Sequence, residues 1–311
     1  MTNKLRAVLD IGSNTIRLLI AEVGQDQTFK KIYYQHQIAR LGEGLQSTGM
    51  LAETGKQRAM DVFLQVVAIC ESYGLRADEI VAVATAAIRD AGNGQAFVDE
   101  VREKTGLCIR IIEGVVEAKL ALTGAMLGLS KEVSQDMLLF DIGGGSTEFT
   151  RVFQGEIVDS ISIKMGVVRL TETCLKSNPT SDSDYQVAKD AAVEFLKEVE
   201  VFWGDNQRLP SVLVGTAGTV TTLAAMVQNM TTYDASKIDD FHMSSLAFYA
   251  LRDDLLSKTN AQRLVIPALE KGREDVIVAG IAMIEAMLER WGYTELVSVD
   301  SGLLVGLLHY P

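Results

Sequence analysis

The tripeptide Asp-Ile-Gly stands at 10–12 and again at 141–143, each time at the same point of a repeated pattern. In the first half, LRAVLDIG (5–12) and TIRLLIAEV (15–23) read as two strands around a tight Gly-Ser-Asn turn, with a third strand over 29–40. In the second half, DMLLFDIG (136–143) and STEFTRVF (146–153) flank a glycine turn, and GEIVDSISIKM (155–165) supplies the third strand. Three residues recur by chance easily. Recurrence at the same point of the same strand order does not, so the chain reads as an internal duplication.

Helices and strands alternate after each triplet of strands. The first half continues with a helix over 53–73, where Ala59, Phe63, Val66, Cys70 and Tyr73 fall at helical spacing. A strand at 79–85, a helix at 94–105, a short strand at 108–112 and a helix at 114–128 follow. The second half predicts helices at 166–176 and 182–204, a strand at 210–215 and a helix from 219. Helical stretches at 243–257 and 273–291, a strand at 295–301 and a final helix at 302–308 close it. A chain of 311 residues exceeds what one core usually supports. Two α/β domains are therefore expected, 1–129 and 130–301, with the C-terminal segment 302–311 joining the first.

Composition narrows the class. Hydrophobic residues make up 48% and charged residues 23%, the balance of a soluble globular enzyme. A net charge of −12 repels nucleic-acid backbones, so no nucleic-acid partner is expected. An anionic substrate would need local cations, helix N-termini or a bound metal, which favours a divalent cation. The apolar runs are broken by charges well before the roughly 18 residues a membrane span needs. The start MTNKLRAVLDIG carries no apolar signal-peptide core, so a reducing cytoplasm is expected. Cys70, Cys108 and Cys174 form neither a disulfide framework nor a zinc motif, and Cys70 and Cys108, in apolar runs, are expected to be buried. His36, His242 and His309 are scattered and take no role.

Three loops carry candidate chemistry. In Asp10-Ile11-Gly12-Ser13-Asn14-Thr15 a strand ends in a carboxylate and meets a turn of small residues, where backbone amides can form an anion-binding nest. A plain β-hairpin would use the same residues. In Asp141-Ile142-Gly143-Gly144-Gly145-Ser146-Thr147-Glu148 three consecutive glycines exceed the needs of a turn and imply close backbone approach. Asp141 and Glu148 bracket that loop as hard oxygen ligands suited to an ion of the Mg²⁺ type. Gly215-Thr216-Ala217-Gly218-Thr219 lies between a strand and a helix, an anion seat or a packing glycine pair.

These loops, in this order, resemble the phosphate motifs of the actin/hexokinase/heat-shock ATPase superfamily. AVLDIGSNTIRLLIAEV (7–23), VATAAIRDAGNG (83–94), EGVVEAKLALTGA (113–125), LLFDIGGGSTEFT (138–150), GTAGTVTTLA (215–224), GREDVIVAGIAMIEAML (272–288) and SGLLVGLL (301–308) narrow the resemblance to the exopolyphosphatase/guanosine-pentaphosphate phosphohydrolase (Ppx/GppA) family. It covers essentially the whole chain. Its most specific parts are Ala-Ile-Arg-Asp and Glu-Ala-Lys, which the kinases and chaperones do not share.

The resemblance implies two actin-like (ribonuclease H-like) α/β domains with mixed five-stranded sheets flanked by helices, and an active site in the interdomain cleft gathering Arg89, Glu117 and Asp141. It implies Mg²⁺- or Mn²⁺-dependent hydrolysis of a terminal phosphoanhydride, in inorganic polyphosphate or in pppGpp with ppGpp as product. Glu117 falls on the family's general base, which makes chemical sense because water at neutral pH is a poor nucleophile. Arg89 falls on its phosphate-contacting arginine. Asp141 and Glu148 match metal positions. Asp10, Gly12, Ser13, Asn14, Gly143, Gly144, Gly145, Ser146, Gly218 and Thr219 would line the phosphate track, with Arg17 reaching either the cleft or only a surface carboxylate. Glu117 could instead be a solvated helix-face residue near Lys119 and Lys104, and Arg89 could cap a helix or pair with Asp90 or Glu113.

The chain departs from the family pattern at Val115-Val116, where many members carry acids, and at Leu304-Val305, where an arginine usually follows. Its length leaves no room for the helical C-terminal domains of long members, so processivity is not expected to follow, and a homodimer stays open. An ATP-dependent kinase or ATPase of the same superfamily, and a non-catalytic polyphosphate or alarmone sensor, are the rival readings.

Overall fold

The computed structural model describes residues 4–24, 28–205 and 208–310. Its contacts divide the chain into two units, Met1–Gly124 with Leu303–Pro311, and Ala125–Gly302. Each is a mixed α/β domain of the actin-like type.

In the first unit β1 (Lys4–Ile11), β2 (Thr15–Val23) and β3 (Phe29–Ile38) form an antiparallel ladder. α1 (Leu45–Thr48) and α2 (Glu53–Ser72) lead to β4 (Val81–Ala84), which returns parallel to β1. α3 (Ala86–Asp90), α4 (Gly94–Thr105), β5 (Ile109–Ile111) and the start of α5 (Gly114–Gly128) follow. The strand order is β3-β2-β1-β4-β5. Alternation sorts the central strands between two cores. Leu9, Ile11, Leu18 and Ile20 pack with Phe63, Val66 and Phe97 from α2 and α4. Val8, Leu19, Ala21 and Val83 pack with Leu120 and Ala121 of α5 and with Leu303, Leu304 and Leu307 of the terminal segment. Arg6 ties that segment down by donating to the carbonyls of Leu308 (2.6 Å) and Tyr310 (2.8 Å). Pro311, the last residue of the expected 302–311 segment, lies outside the described residues.

The second unit repeats the plan. α6 (Lys131–Gln135) leads into the antiparallel strands β6 (Asp136–Ile142), β7 (Thr147–Phe153) and β8 (Glu156–Ile163). α7 (Val167–Cys174) and α8 (Asp182–Trp203) precede β9 (Val212–Thr216), parallel to β6. α9 (Ala217–Val227), β10 (Phe241–Ser244), α10 (Ser245–Leu256), α11 (Asn260–Arg263), α12 (Ile277–Trp291) and β11 (Glu295–Ser298) complete it, before α13 (Leu303–Leu307) in the first unit. The order is β10-β11-β9-β6-β7-β8. The core runs from Phe140 and Phe149 of the sheet to Leu196 and Val199 of α8 and to the inward face of α12.

Four expectations change. The second sheet has six strands rather than five, because Phe241–Ser244 pairs antiparallel with β11. The helix read from 243 therefore starts at Ser245, where the Ser244 hydroxyl accepts from the Ala247 amide and caps it. The helix read from 273 starts at Ile277. Cys108 is exposed rather than buried, since β5 is an edge strand and only alternate residues there face the core. Among the described residues no helix is long and apolar enough to cross a membrane.

Candidate active site

In each unit the singled-out residues collect at the carboxyl ends of the parallel strands, where open α/β sheets bind ligands. The first hairpin shows how. Gly12 N–H donates to Thr15 O at 3.0 Å and closes the turn. The carbonyl of Ser13 accepts from Gly42, and that of Asn14 from Ala39 and Arg40. In a trans peptide the N–H points opposite to the C=O, so the amides of Asn14 and Thr15 turn away from segment 39–42. That leaves a nest of the kind that seats anions. Ser13 and Asn14 are buried. Asp10 and Arg17 face each other across the ladder, and Arg17 Nε donates to Asp10 Oδ2 at 2.8 Å. The carboxylate that Arg17 meets is the buried Asp10, not a surface one.

Arg89 and Glu117 come from the next two strand ends. The Thr85 amide donates to Ile11 O, which sets α3 beside the hairpin, and the Ile112 amide donates to Ala84 O, which sets the start of α5 beside α3. Arg89 Nη1 donates to Ile112 O at 2.9 Å and lies 3.4 Å from Glu117 Oε2. That second contact is longer than the roughly 2.7–2.9 Å of a tight charge-assisted bond. Glu117 is only 6% exposed, so it is no solvated helix-face residue. Lys104 pairs with Glu100 at 2.7 Å rather than with Glu117. Arg89 also approaches Asp90, at 4.0 Å.

The second hairpin closes as the first does and differs in charge, and its two accepting carbonyls stand one position earlier in the turn. Gly143 N–H donates to Ser146 O at 2.9 Å, as Gly12 does to Thr15. The carbonyls of Gly143 and Gly144 accept from the Val167 and Val168 amides at the start of α7. The amides of Gly144 and Gly145 consequently face away from α7. This approach explains Gly166. A Cβ on Gly166 would lie 2.4 Å from the carbonyl carbon and oxygen of Gly144. Asp141 and Glu148 are direct cross-strand partners, both buried. Glu148 Oε1 accepts from Ser146 Oγ at 2.8 Å and from Ser162 Oγ at 2.6 Å. Its other oxygen, Oε2, is buried and no hydrogen bond from the described residues reaches it.

Two buried carboxylates opposite each other repel unless a cation or a proton intervenes. Among the described residues no group of three or more His, Cys, Asp or Glu side chains is arranged to hold a metal. Two carboxylates fit a hard ion that fills its shell with water and substrate phosphate oxygens, the habit of Mg²⁺. The burial of both carboxylates as direct cross-strand partners is the observation that favours this fit.

The third loop joins β9 to α9. Ala217 sits at φ 68°, a left-handed conformation that costs a residue with a Cβ on the order of 1 kcal/mol. Gly218 is covered by Arg273, so that a Cβ there would lie 1.6 Å from Nη1. Arg273 is anchored by Glu270 Oε2, 2.9 Å from its Nε. Thr219 is buried beneath Gly280. Arg273 and Ser162 are the residues that reading the sequence missed. Arg273 lay inside the GREDVIVAG segment, where a cation just ahead of a long apolar helix was the available signal. Ser162 gave none, because its role depends on register. Arg89 and Glu117 lie in the first unit, and Asp141, Glu148, Gly218 and Arg273 in the second.

The chain resembles known proteins along nearly its whole length. The model of the Ppx/GppA phosphatase family matches residues 19–309. A bifunctional 3-dehydroquinate synthase/phosphatase of Fusobacterium nucleatum is 35% identical over 314 residues, which is 98% of this chain and 46% of that protein. The chain thus spans about half the length of that relative. Exopolyphosphatase 2 of Mycobacterium tuberculosis is 31% identical over 313 residues, 97% of this chain and 96% of that protein. The crystal structure of an exopolyphosphatase from Cytophaga hutchinsonii superposes with a TM-score of 0.89 at 27% identity, covering 98% of this chain and 97% of that one.

Proposed function

The chain belongs to the Ppx/GppA phosphatase family, and from that premise we propose that it releases orthophosphate from the end of inorganic polyphosphate in a reaction dependent on Mg²⁺ or Mn²⁺. The observation that carries this reading is Glu117, a buried carboxylate whose Oε2 lies 3.4 Å from a guanidinium that has hydrogen bonds to spare.

Glu117 takes a proton from water as the water oxygen bonds to the terminal phosphorus. The bridging P–O bond breaks, and the electron pair leaves on the shortened chain. Arg89 meets charge that develops on the equatorial phosphoryl oxygens, a role for which the planar guanidinium is suited. The amides of Asn14, Gly144 and Gly145 seat phosphate oxygens without charge of their own. The N-terminal amides of α9 do the same, and Arg273 adds a cation there. Asp141 and Glu148 hold the divalent ion, which supplies charge neutralisation when bound.

Polyphosphate asks only for such repeated anion seats. Guanosine pentaphosphate presents the same terminal anhydride and belongs in the same assay. The test is phosphate release from medium-length polyphosphate, pppGpp and ATP, with Mg²⁺ and with chelator. Release from polyphosphate that chelator abolishes supports the reading, and transfer from ATP to a small acceptor without polyphosphate hydrolysis would overturn it.

A further inference from the structure

The segment between α11 and α12, residues 264–276, carries no helix or strand and delivers Arg273 over Gly218. An ordered stretch of that length without regular structure is uncommon in a compact domain and usually serves function. It has no ladder to hold it, so side chains must offset the entropy of ordering it. Short turns shape it locally. The Ile266 amide donates to Arg263 O at 3.0 Å, Leu269 to Ile266 O at 3.0 Å and Arg273 to Glu270 O at 3.1 Å. Gly272, at φ 94°, donates to Glu274 Oε2 at 2.5 Å.

Arg263, the last residue of α11, holds the far end of this segment. It is 1% exposed. Its Nε donates to Leu255 O in the last turn of α10 at 3.0 Å, and its Nη1 donates to Asn260 Oδ1 at 2.9 Å and to Glu274 O at 3.1 Å. One guanidinium thus joins the end of α10, the start of α11 and the residue that follows Arg273. Among the described residues none of its partners is an acid, and burial pulls its pKa down. A buried cation without a counter-charge is costlier than an apolar side chain of similar volume. The placement is therefore poor for stability alone. It is well suited to fixing three chain segments relative to one another, because the planar fork reaches acceptors in several directions at once.

We propose that Arg263 is a positioning residue: by holding the carbonyl of Glu274 to α10 and α11, it fixes the backbone from which Arg273 reaches the phosphate seat at Gly218. The inference rests on the reading of Arg273 as a phosphate-binding cation. Arg263 is buried away from solvent, so its effect passes through Arg273. The side chain of Arg273 is anchored by Glu270, which lies in the same segment. Loosening Glu274 O therefore frees both the backbone of Arg273 and the carboxylate that aims it.

The experiment measures steady-state phosphate release from medium-length polyphosphate by the full chain, for wild type, Arg263→Met, Arg273→Ala and the double variant. Thermal unfolding without substrate is recorded for each. Arg273→Ala is expected to raise KM by about 10-fold, the low end for losing a hydrogen bond to a charged group. Arg263→Met, which keeps an unbranched chain and loses the fork, is expected to raise KM by a similar factor while kcat stays near wild type. In the Arg273→Ala background it is expected to raise KM no further, because residues that act through one contact are not additive. Should Arg263→Met fail to fold, Arg263→Lys keeps the charge, offers one ammonium to three separated acceptors, and takes its place with the same expectation. Failure of both to fold makes Arg263 a requirement of the core and overturns the assignment. Wild-type KM in the folded Arg263 variant, alongside a rise in Arg273→Ala, overturns the role of Arg263 alone. An equal effect in both backgrounds, on KM or on kcat, overturns its action through Arg273. Unchanged KM in Arg273→Ala overturns the phosphate-binding reading beneath it, and a wild type that releases no phosphate overturns the proposed function and this inference together.

Discussion

Asp141 and Glu148 face each other directly across the β6–β7 ladder, in the register position that Asp10 and Arg17 fill in β1–β2. The same hairpin thus carries a neutralised pair in one unit and two acids in the other. Opposed like charges cost a sheet about 0.2–1 kcal/mol.

Glu148→Gln keeps an oxygen that accepts from Ser146 and Ser162, so the hairpin should tolerate it. For a protein of this size the melting temperature without metal is expected to hold or to rise by about 1–3 °C. Mg²⁺ should stabilise the wild type, because a ligand that binds only the folded state does so by mass action. The variant should lose that increment. Scanning fluorimetry with and without Mg²⁺ measures both, and a full Mg²⁺ increment in Glu148→Gln would remove Glu148 from the metal site.

Arg89 and Glu117 yield a prediction that separates chemistry from folding. Glu117→Gln keeps an oxygen for Arg89, so thermal stability should stay near wild type. It removes the proton acceptor, and kcat should fall by about 10²–10⁴-fold while KM changes little. Arg89→Lys keeps charge and loses the planar fork. A loss in kcat of about 10²-fold is expected, the usual effect of deleting one donor to developing charge. Steady-state phosphate release checks both, and turnover preserved in Glu117→Gln would refute the base.

Two glycines should respond in opposite ways to one methyl group. Gly166→Ala drives a Cβ into the Gly144 backbone at 2.4 Å, where neither chain segment can yield without losing the amides of α7. Overpacking of that kind typically costs about 1–3 kcal/mol, so melting temperature and activity should fall together. Gly218→Ala meets only the end of the Arg273 side chain. The guanidinium can swing away, so stability should persist while KM for polyphosphate rises. Unchanged KM in a folded Gly218→Ala protein would show that Arg273 makes no contribution to phosphate binding.

What could be read from the sequence was local and repeated. Both glycine hairpins were legible because Asp-Ile-Gly recurs at one point of a strand pattern, each time after a short apolar run, Ala7–Leu9 in β1 and Met137–Phe140 in β6. β10 was not legible. Its four residues form a strand only because β11 arrives about fifty positions later to pair with it. Cys108 looked buried in a run of apolar residues, yet edge position makes β5 alternate. The partners of Asp10, Gly218 and Glu148 were equally hidden. Arg17 and Ser162 reach theirs through ladder register and Arg273 through a tertiary contact, none of which composition or spacing records.

The second unit should also lose stability in acid through a single buried carboxylate. Glu285 of α12 is 2% exposed and accepts from Tyr185 Oη of α8 at 2.5 Å, while Lys189 and Arg252 each reach its Oε1 at 3.0 Å. Burial pushes its carboxyl up, but the hydrogen bonds from Tyr185, Arg252 and Lys189 outweigh burial and leave it below its ordinary value of 4.5. A depressed folded-state pKa means the charged form is favoured by folding. Its contribution is complete above pH 4.5 and is lost as the pH falls through the lower folded value. The wild-type melting temperature should therefore decline below that pH more steeply than that of Glu285→Gln, which has no charge to lose. Glu285→Ala should cost about 3 kcal/mol at neutral pH, the low end for breaking a buried pair, because Lys189 keeps Glu289 and Arg252 keeps Asp253. Parallel decline of the wild type and Glu285→Gln between pH 5 and pH 3 would show that the acid sensitivity lies with other carboxylates.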